Sequence, residues 1–247
     1  MRLQAEAILT DWRQWMPAAA APPQLLQELP GGLTNRSYLI RIAGEQAVLR
    51  INAPNSRSLG IDRQREQILH RQAAAAGLAP RLIFCDPAQR FVITAYIDGR
   101  QWTRRDLAAV NNRQRIRDLI AAVQTLPVLF SRFNYVAYIE RYWALLSEGR
   151  PDLLSQSLHE ERRRVVEEVT ALQEAPWQPV VAHHDLNPEN IIERDDRLFL
   201  LDWEYAACGH PDIDRLIVDA DIVDPRLRVL SDWMNRLWGL LHMDSAG

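Results

Sequence analysis

The sequence predicts an α+β chain in two lobes, a small β-rich N-terminal lobe over residues 1–97 and a larger helical lobe over 98–247. Three observations carry this. Between Tyr38 and Ala95 apolar residues alternate with period two, in short runs bounded by Gly, Pro and Asp. From about residue 104 they recur every three to four positions, the period of an amphipathic helix. Two short apolar runs near 180–182 and 198–201 interrupt the helical half and bracket a polar loop.

In order along the chain, residues 2–16 carry Leu3, Ala7, Ile8, Trp12 and Trp15 at helical spacing, and Pro17 stops that helix. Ala18–Pro23 is a small linker. Tyr38–Ile42, a turn at Gly44, and Ala47–Ile51 read as a β-hairpin. A polar loop over 52–59 leads to a helix over Ile61–Ala76, closed by Gly77. Arg81–Cys85 and Arg90–Ala95 are two further strands around an Asp86-Pro87 turn. Helices follow over 104–125, 135–148 and 157–174, then hairpins over 180–201, then helices near 212–221 and 226–242.

The 247 residues suffice for a full core, and 47% hydrophobic with 25% charged residues is ordinary globular composition. A net charge of −3 gives no basic field for nucleic acid, and the arginines 162–164 are flanked by acids, as on a solvated helix face. No apolar run reaches the length needed to span a bilayer, and residues 1–16 are too charged for a signal peptide. The two cysteines, Cys85 and Cys208, match no metal spacing and no disulfide framework, which points to a reducing cytoplasm. No membrane, nucleic-acid or protein partner is expected. All 29 basic residues are arginine.

The chemistry concentrates in V-V-A-H-H-D-L-N-P-E-N-I-I (180–192) and L-F-L-L-D-W-E-Y (198–205). An apolar strand enters a polar loop holding His183, Asp185 and Asn190. Two strands joined by the turn Arg194–Arg197 then bring Asp202 back beside that loop. One carboxylate that can take a proton, with a carboxylate and an amide oxygen for Mg²⁺, are the parts that phosphoryl transfer from ATP needs. The spacing H-x-D-x4-N, followed by an Asp on the next strand, is the catalytic-loop and metal-loop pattern of protein-kinase-like phosphotransferases.

On these motifs, with P-D-I-D-R-L (211–216) and G-G-L-T-N-R-S-Y (31–38), the chain resembles the choline/ethanolamine kinase and aminoglycoside phosphotransferase superfamily. It is most similar to the bacterial choline kinase and thiamine kinase branch. Asp202-Trp203-Glu204 in place of D-F-G points to small-molecule rather than protein kinases. The resemblance runs from about residue 28 to 216. Members usually continue with further helices after that point. It implies a bilobal protein-kinase-like fold and an ATP- and Mg²⁺-dependent kinase.

Residue roles follow from the motifs and the resemblance. Gly31, Gly32, Thr34 and Asn35 would cover the nucleotide phosphates, the glycines by close backbone approach and the others as donors. Arg50 stands where kinases usually carry Lys, with Glu66 of the following helix as its partner. The hinge at 93–97, with Tyr96, would meet adenine through backbone groups. Asp185 is the catalytic carboxylate, and Asn190 and Asp202 are the metal ligands. His183 is structural and His184 has no assigned role. Glu204 either reaches a second metal through water or merely faces the cleft. Asp214 braces the catalytic loop. An acceptor pocket for a cationic head draws on Tyr205 and Asp221, with Asp219, Trp233 and Trp238 as further candidates, although the tryptophans' spacing is that of core residues. Aminoglycoside or amino-sugar transfer is the alternative chemistry, and a non-catalytic nucleotide-binding pseudokinase the alternative class.

Overall fold

The computed structural model describes residues 2–17, 20–30 and 35–243. Gly31, Gly32 and Thr34 lie outside the described residues. The N-terminal half holds α1 (Arg2–Thr10), α2 (Trp12–Trp15), β1 (Gln24–Glu28), β2 (Arg36–Ile42), β3 (Glu45–Ile51), α3 (Arg63–Ala75), β4 (Leu82–Cys85), β5 (Phe91–Ala95) and β6 (Arg100–Gln101). Then come α4 (Arg104–Ala108), α5 (Val110–Gln124), α6 (Tyr135–Gly149), α7 (Gln156–Glu174), β7 (Val180–Ala182), β8 (Ile191–Arg194), β9 (Arg197–Leu200), β10 (Ala207–Gly209), α8 (Leu216–Asp219) and α9 (Pro225–His242). No helix of the described residues is long and apolar enough to cross a membrane.

The chain divides into two compact units. One comprises Met1–Ser56, Asp62–Thr103 and Pro188–Glu204, the other Arg57–Ile61, Arg104–Asn187 and Tyr205–Gly247. Residues 188–204 group with the N-terminal strands because β8 pairs with β6 and Leu200 N–H donates to Leu78 O (2.7 Å). A single cut after residue 97 divides the chain differently.

The first unit is built on an antiparallel sheet of order β1-β2-β3-β5-β4. Register pairs Tyr38 with Leu49 and Ile40 with Ala47. With period two, this sets Tyr38, Ile40, Ile42, Ala47, Leu49 and Ile51 in one core, against Ala5, Leu9, Trp12 and Trp15 of α1 and α2. Arg50 therefore falls on the other face. The expected helix over 2–16 is broken at Asp11, which leaves helical geometry (φ −83°, ψ 19°). Helix α3 starts on Asp62, whose side chain accepts from Gln64 and Arg65 N–H at 3.0 and 3.1 Å. It ends in a Schellman arrangement, with Leu78 N–H on Ala73 O and Gly77 N–H on Ala74 O, and Gly77 at φ +73°. Strands β8 and β9 close on Asp195 and Asp196 at φ +50° and +58°, the two left-handed residues of a tight hairpin.

The second unit packs α6, α7 and α9 around one core. Ile139, Tyr142, Trp143 and Leu146 meet Leu158, Val165, Val169 and Leu172, and Leu227, Leu230, Trp233 and Leu237. Each set repeats at three or four residues, so each helix turns one stripe inward. Strands β7 and β10 pair antiparallel beside them.

Candidate active site

Sequence places Arg50 mid-strand on β3 and Glu66 on the first turn of α3, and the fold brings the two together. Arg50 Nη2 donates to Glu66 Oε1, and Arg50 Nη1 donates to Asp202 Oδ1 at 2.9 Å. The Arg50–Glu66 pair anticipated from the sequence is therefore formed, and Asp202 joins it. A second arginine, which the sequence reading missed, completes the cluster. Arg63 Nη1 donates to Glu66 Oε2 (2.7 Å) and Glu204 Oε2 (3.0 Å), and its Nη2 donates to Asn35 Oδ1 (3.0 Å) and Ser56 Oγ (2.8 Å). Its signal was its position three residues before Glu66, on the same helix face. Two guanidinium groups thus face three carboxylates, leaving one negative charge in excess. Asp202 is the most accessible of the three acids, its side chain 31% exposed against 6% for Glu66 and 3% for Glu204.

Burial alone would drive the Arg50 guanidinium down, but Glu66, Asp202 and Glu204 outweigh it and hold it well above its usual value. Burial would raise Glu66, and Arg50 and Arg63 together pull it below the ordinary carboxylate range.

Asn35 lies inside this cluster. It is only 4% exposed, its Nδ2 donates to Glu204 Oε2 (2.7 Å), and its Oδ1 accepts from Arg63 and from Ala53 N–H (3.1 Å). Both ends of its amide are thus bonded within the cluster. Glu204 is likewise buried and bonded. At Tyr96 the backbone N–H already donates to Gln46 O (3.2 Å).

Asn190 stands at the end of a 3₁₀ turn over Pro188–Asn190, and its carbonyl accepts from Leu201 N–H at 2.8 Å. That bond ties the residue to the strand end that carries Asp202. Asp202 itself sits at φ +54°, a left-handed conformation that turns the chain out of β9. An Asn and an Asp are hard oxygen donors, and Asp202 is the most exposed acid of a cluster with more carboxylates than guanidinium groups, so this donor set suits Mg²⁺.

Asp185 belongs to the second unit, where its Oδ1 accepts from Asn187 Nδ2 at 3.1 Å. The loop that carries it is held from below. Asp214 accepts from the backbone N–H groups of His183 (2.7 Å) and His184 (2.9 Å). The bracing expected of Asp214 therefore has its hydrogen bonds. His184, left without a role, is at φ +63° with Nδ1 3.3 Å from Ala182 O and Nε2 3.0 Å from Tyr135 Oη. The Tyr135 hydroxyl also accepts from His210 N–H (2.8 Å). Gly209 makes room for this: a Cβ there would stand 2.4 Å from His184 Nε2 and 2.6 Å from Tyr135 Oη.

Tyr205 is partly buried with its hydroxyl 3.5 Å from that of Tyr142, whose ring lies 5.1 Å from Tyr138 edge to face. Burial pushes the Tyr138 hydroxyl far up, and Tyr142, Tyr205 and the Asp185 carboxylate push the same way. Asp221 does not join them. Its side chain is 99% exposed and lies 3.3 Å from Arg228. Helix α8 spans one turn instead of 212–221, which leaves Asp221 on an outer bend. Asp219 is buried instead, held in a fork by Arg117 (2.7 and 3.1 Å). Trp233 is core, stacked on Trp143, and Trp238 stacks on His242.

This is a kinase-like α+β fold carrying the D-x4-N and D-W-E elements. The phosphotransferase enzyme family matches residues 25–230, and the chain belongs to that family. Protein LicA of Haemophilus influenzae is 30% identical over 205 residues, 78% of this chain and 57% of that protein. The chain thus spans little more than half of that relative's length. Choline kinase LicA from Streptococcus pneumoniae is similar in structure, with a TM-score of 0.73 at 19% identity, covering 95% of this chain and 89% of that one. A thermostable mutant of an aminoglycoside phosphotransferase, solved with AMP-PNP and hygromycin B, gives 0.66 at 14%, covering 95% and 92%.

Proposed function

We propose that this chain is an ATP- and Mg²⁺-dependent kinase for the hydroxyl of a small cationic alcohol, choline first and thiamine next. The observation that carries the reading is the acid-rich cluster of Arg50, Arg63, Glu66, Glu204 and Asp202, in which Asp202 is the most exposed acid. Arg50 would meet phosphate oxygens, its charge kept by three carboxylates. Asn190 and Asp202 would hold Mg²⁺, which when bound neutralises charge developing on the phosphates. Gly31, Gly32 and Thr34 would cover those phosphates, and Tyr96 would flank adenine. Asp185 would accept a hydrogen bond from the acceptor hydroxyl and aim it for in-line attack.

Aromatic residues that share the second unit with Asp185 favour a cationic acceptor. Tyr138, Tyr142 and Tyr205 form one cluster there, and an aromatic face offers a cation about 0.5–2 kcal/mol. The choline kinase among the structural neighbours supports the same class. The likeness to an aminoglycoside phosphotransferase keeps amino-sugar transfer as a second reading. ATP consumption with Mg²⁺ against choline, ethanolamine, thiamine, kanamycin and N-acetylmuramic acid tests both. Turnover with choline or thiamine is expected. Turnover with kanamycin or the amino sugar alone replaces the cationic-alcohol reading, and none with any acceptor returns the pseudokinase.

A further inference from the structure

Three consecutive residues after β9 each dock on helix α3 or on its ion pair. Asp202 takes Arg50, which is bonded to Glu66 of α3. Trp203 is fully buried, donates its Nε1–H to Leu200 O at 3.0 Å, and stacks on His70 of α3 with ring centroids 6.4 Å apart. Glu204 takes Arg63 at 3.0 Å. Arg63 is 8% exposed and spans four acceptors from four segments: Asn35, Ser56, Glu66 and Glu204. A planar fork can do this and an ammonium cannot.

We propose that Arg63 is a positioning residue for the phosphate end of the site. It pins the Asp202–Glu204 turn to α3, so that Asp202 stands in place before any ligand arrives. Without Arg63, the buried Glu204 carboxylate loses its cation and competes with Asp202 and Glu66 for Arg50. Breaking one partner of a buried pair is the costly case. Asp202 then loses the neighbour that orients it. The inference deepens the kinase reading and rests on it for the identity of the ligand, but the pinning itself does not.

The test compares Arg63→Met, Glu204→Ala, the double variant and Arg63→Lys with the unaltered chain. Hydrogen exchange of amides 201–205 reads the pinning, and calorimetry reads ADP affinity with and without Mg²⁺. Arg63→Met is expected to speed exchange at 201–205 and to weaken Mg·ADP by about tenfold or more, with metal-free ADP changed by less than about threefold. Glu204→Ala should do the same, and the double variant should be no worse than either, because the two side chains act as one. Arg63→Lys should lie between. Unchanged exchange at 201–205, or single-variant losses that multiply in the double, overturns the proposal. If Arg63→Met does not fold, Glu204→Ala and Arg63→Lys are read by the same criteria. An unaltered chain that binds no nucleotide, or binds it without transfer, overturns the kinase reading while exchange still judges Arg63.

Discussion

Asp185 and Asp202 are both half-buried carboxylates with different neighbours, and the proposed division of their tasks follows those neighbours. Asp202 faces Arg50 and shares a hydrogen-bonded strand end with Asn190, whereas the partner shown for Asp185 is the amide of Asn187. Asp185→Ala is expected to lower kcat about 10²–10⁴-fold with nucleotide Kd nearly unchanged, as its proposed role of orienting the acceptor requires. Asp202→Ala should weaken Mg·ATP as well as turnover. Equal loss of ATP affinity in the two variants, measured by calorimetry, contradicts the division. For the acceptor, Tyr205→Ala and Tyr138→Ala should raise KM for choline or thiamine, and Asp221→Ala should leave it unchanged because its side chain stands in solvent. A raised KM in Asp221→Ala alone would reverse that assignment. The Arg50–Glu66 pair was legible from the strand-then-helix order. The burial of Asn35 and Glu204 was not, because nothing local marks an arginine on the next helix as their partner.

At the scale of elements, strongly patterned segments formed close to expectation: the hairpin of β2 and β3, helix α3 with its Asp62 cap and Gly77 exit, and the long helices α6, α7 and α9. Strand β1 was missed. Gln24–Glu28 does not alternate, four of its five residues are exposed, and its pairing with β2 is bulged between Leu25 and Gln27. The sequence predicts a helix near 212–221, but Asp214 places its side chain on the His183 and His184 N–H groups, and 211–215 are turns. A tertiary bond here overrides local preference. Two substitutions probe such elements by thermal or urea unfolding. Gly209→Ala should cost about 1–3 kcal/mol through collision with His184 and Tyr135. Replacing Asp195-Asp196 by Asn-Gly should stabilise by about 0.5–1 kcal/mol, because both positions have φ > 0. A neutral Gly209→Ala would mean the His184–Tyr135 contact is loose.

For the whole molecule, charge sets the pH response. Hydrogen bonds from Arg90, Arg117 and Arg226 hold Asp86, Asp219 and Asp224 below the ordinary carboxylate range. Glu66 is lowered too, Arg50 and Arg63 outweighing its burial. The unfolded chain therefore binds protons more readily than the folded one. This stability is fully present above the ordinary carboxylate values and is lost as pH falls through the lowered folded ones. Burial also pulls His210 below its usual 6.5, which has the same sign and starts the loss earlier. The melting temperature should be level between about pH 7 and 8 and fall steadily below that range, and it should fall again above about pH 9, where burial holds the Cys85 thiol and the Tyr135 and Tyr138 hydroxyls above their ordinary values. At alkaline pH the site cation is an arginine held up by three carboxylates, so kcat/KM for ATP should show no basic limb between about pH 7.5 and 9.5. A limb near pH 9 would implicate another group.

By itself, the sequence determined the α+β class, the order of most elements, and the motif residues Asp185, Asn190 and Asp202, because periodicity and catalytic spacing are local properties of the chain. Tertiary structure alone decided that Arg63 closes the acidic cluster, that His184 and Gly209 seat on Tyr135, and that Asp221 stays in solvent while Asp219 is buried. Those outcomes depend on partners up to 141 residues apart, as in Arg63 and Glu204, and buried charges must find a partner wherever the fold delivers one.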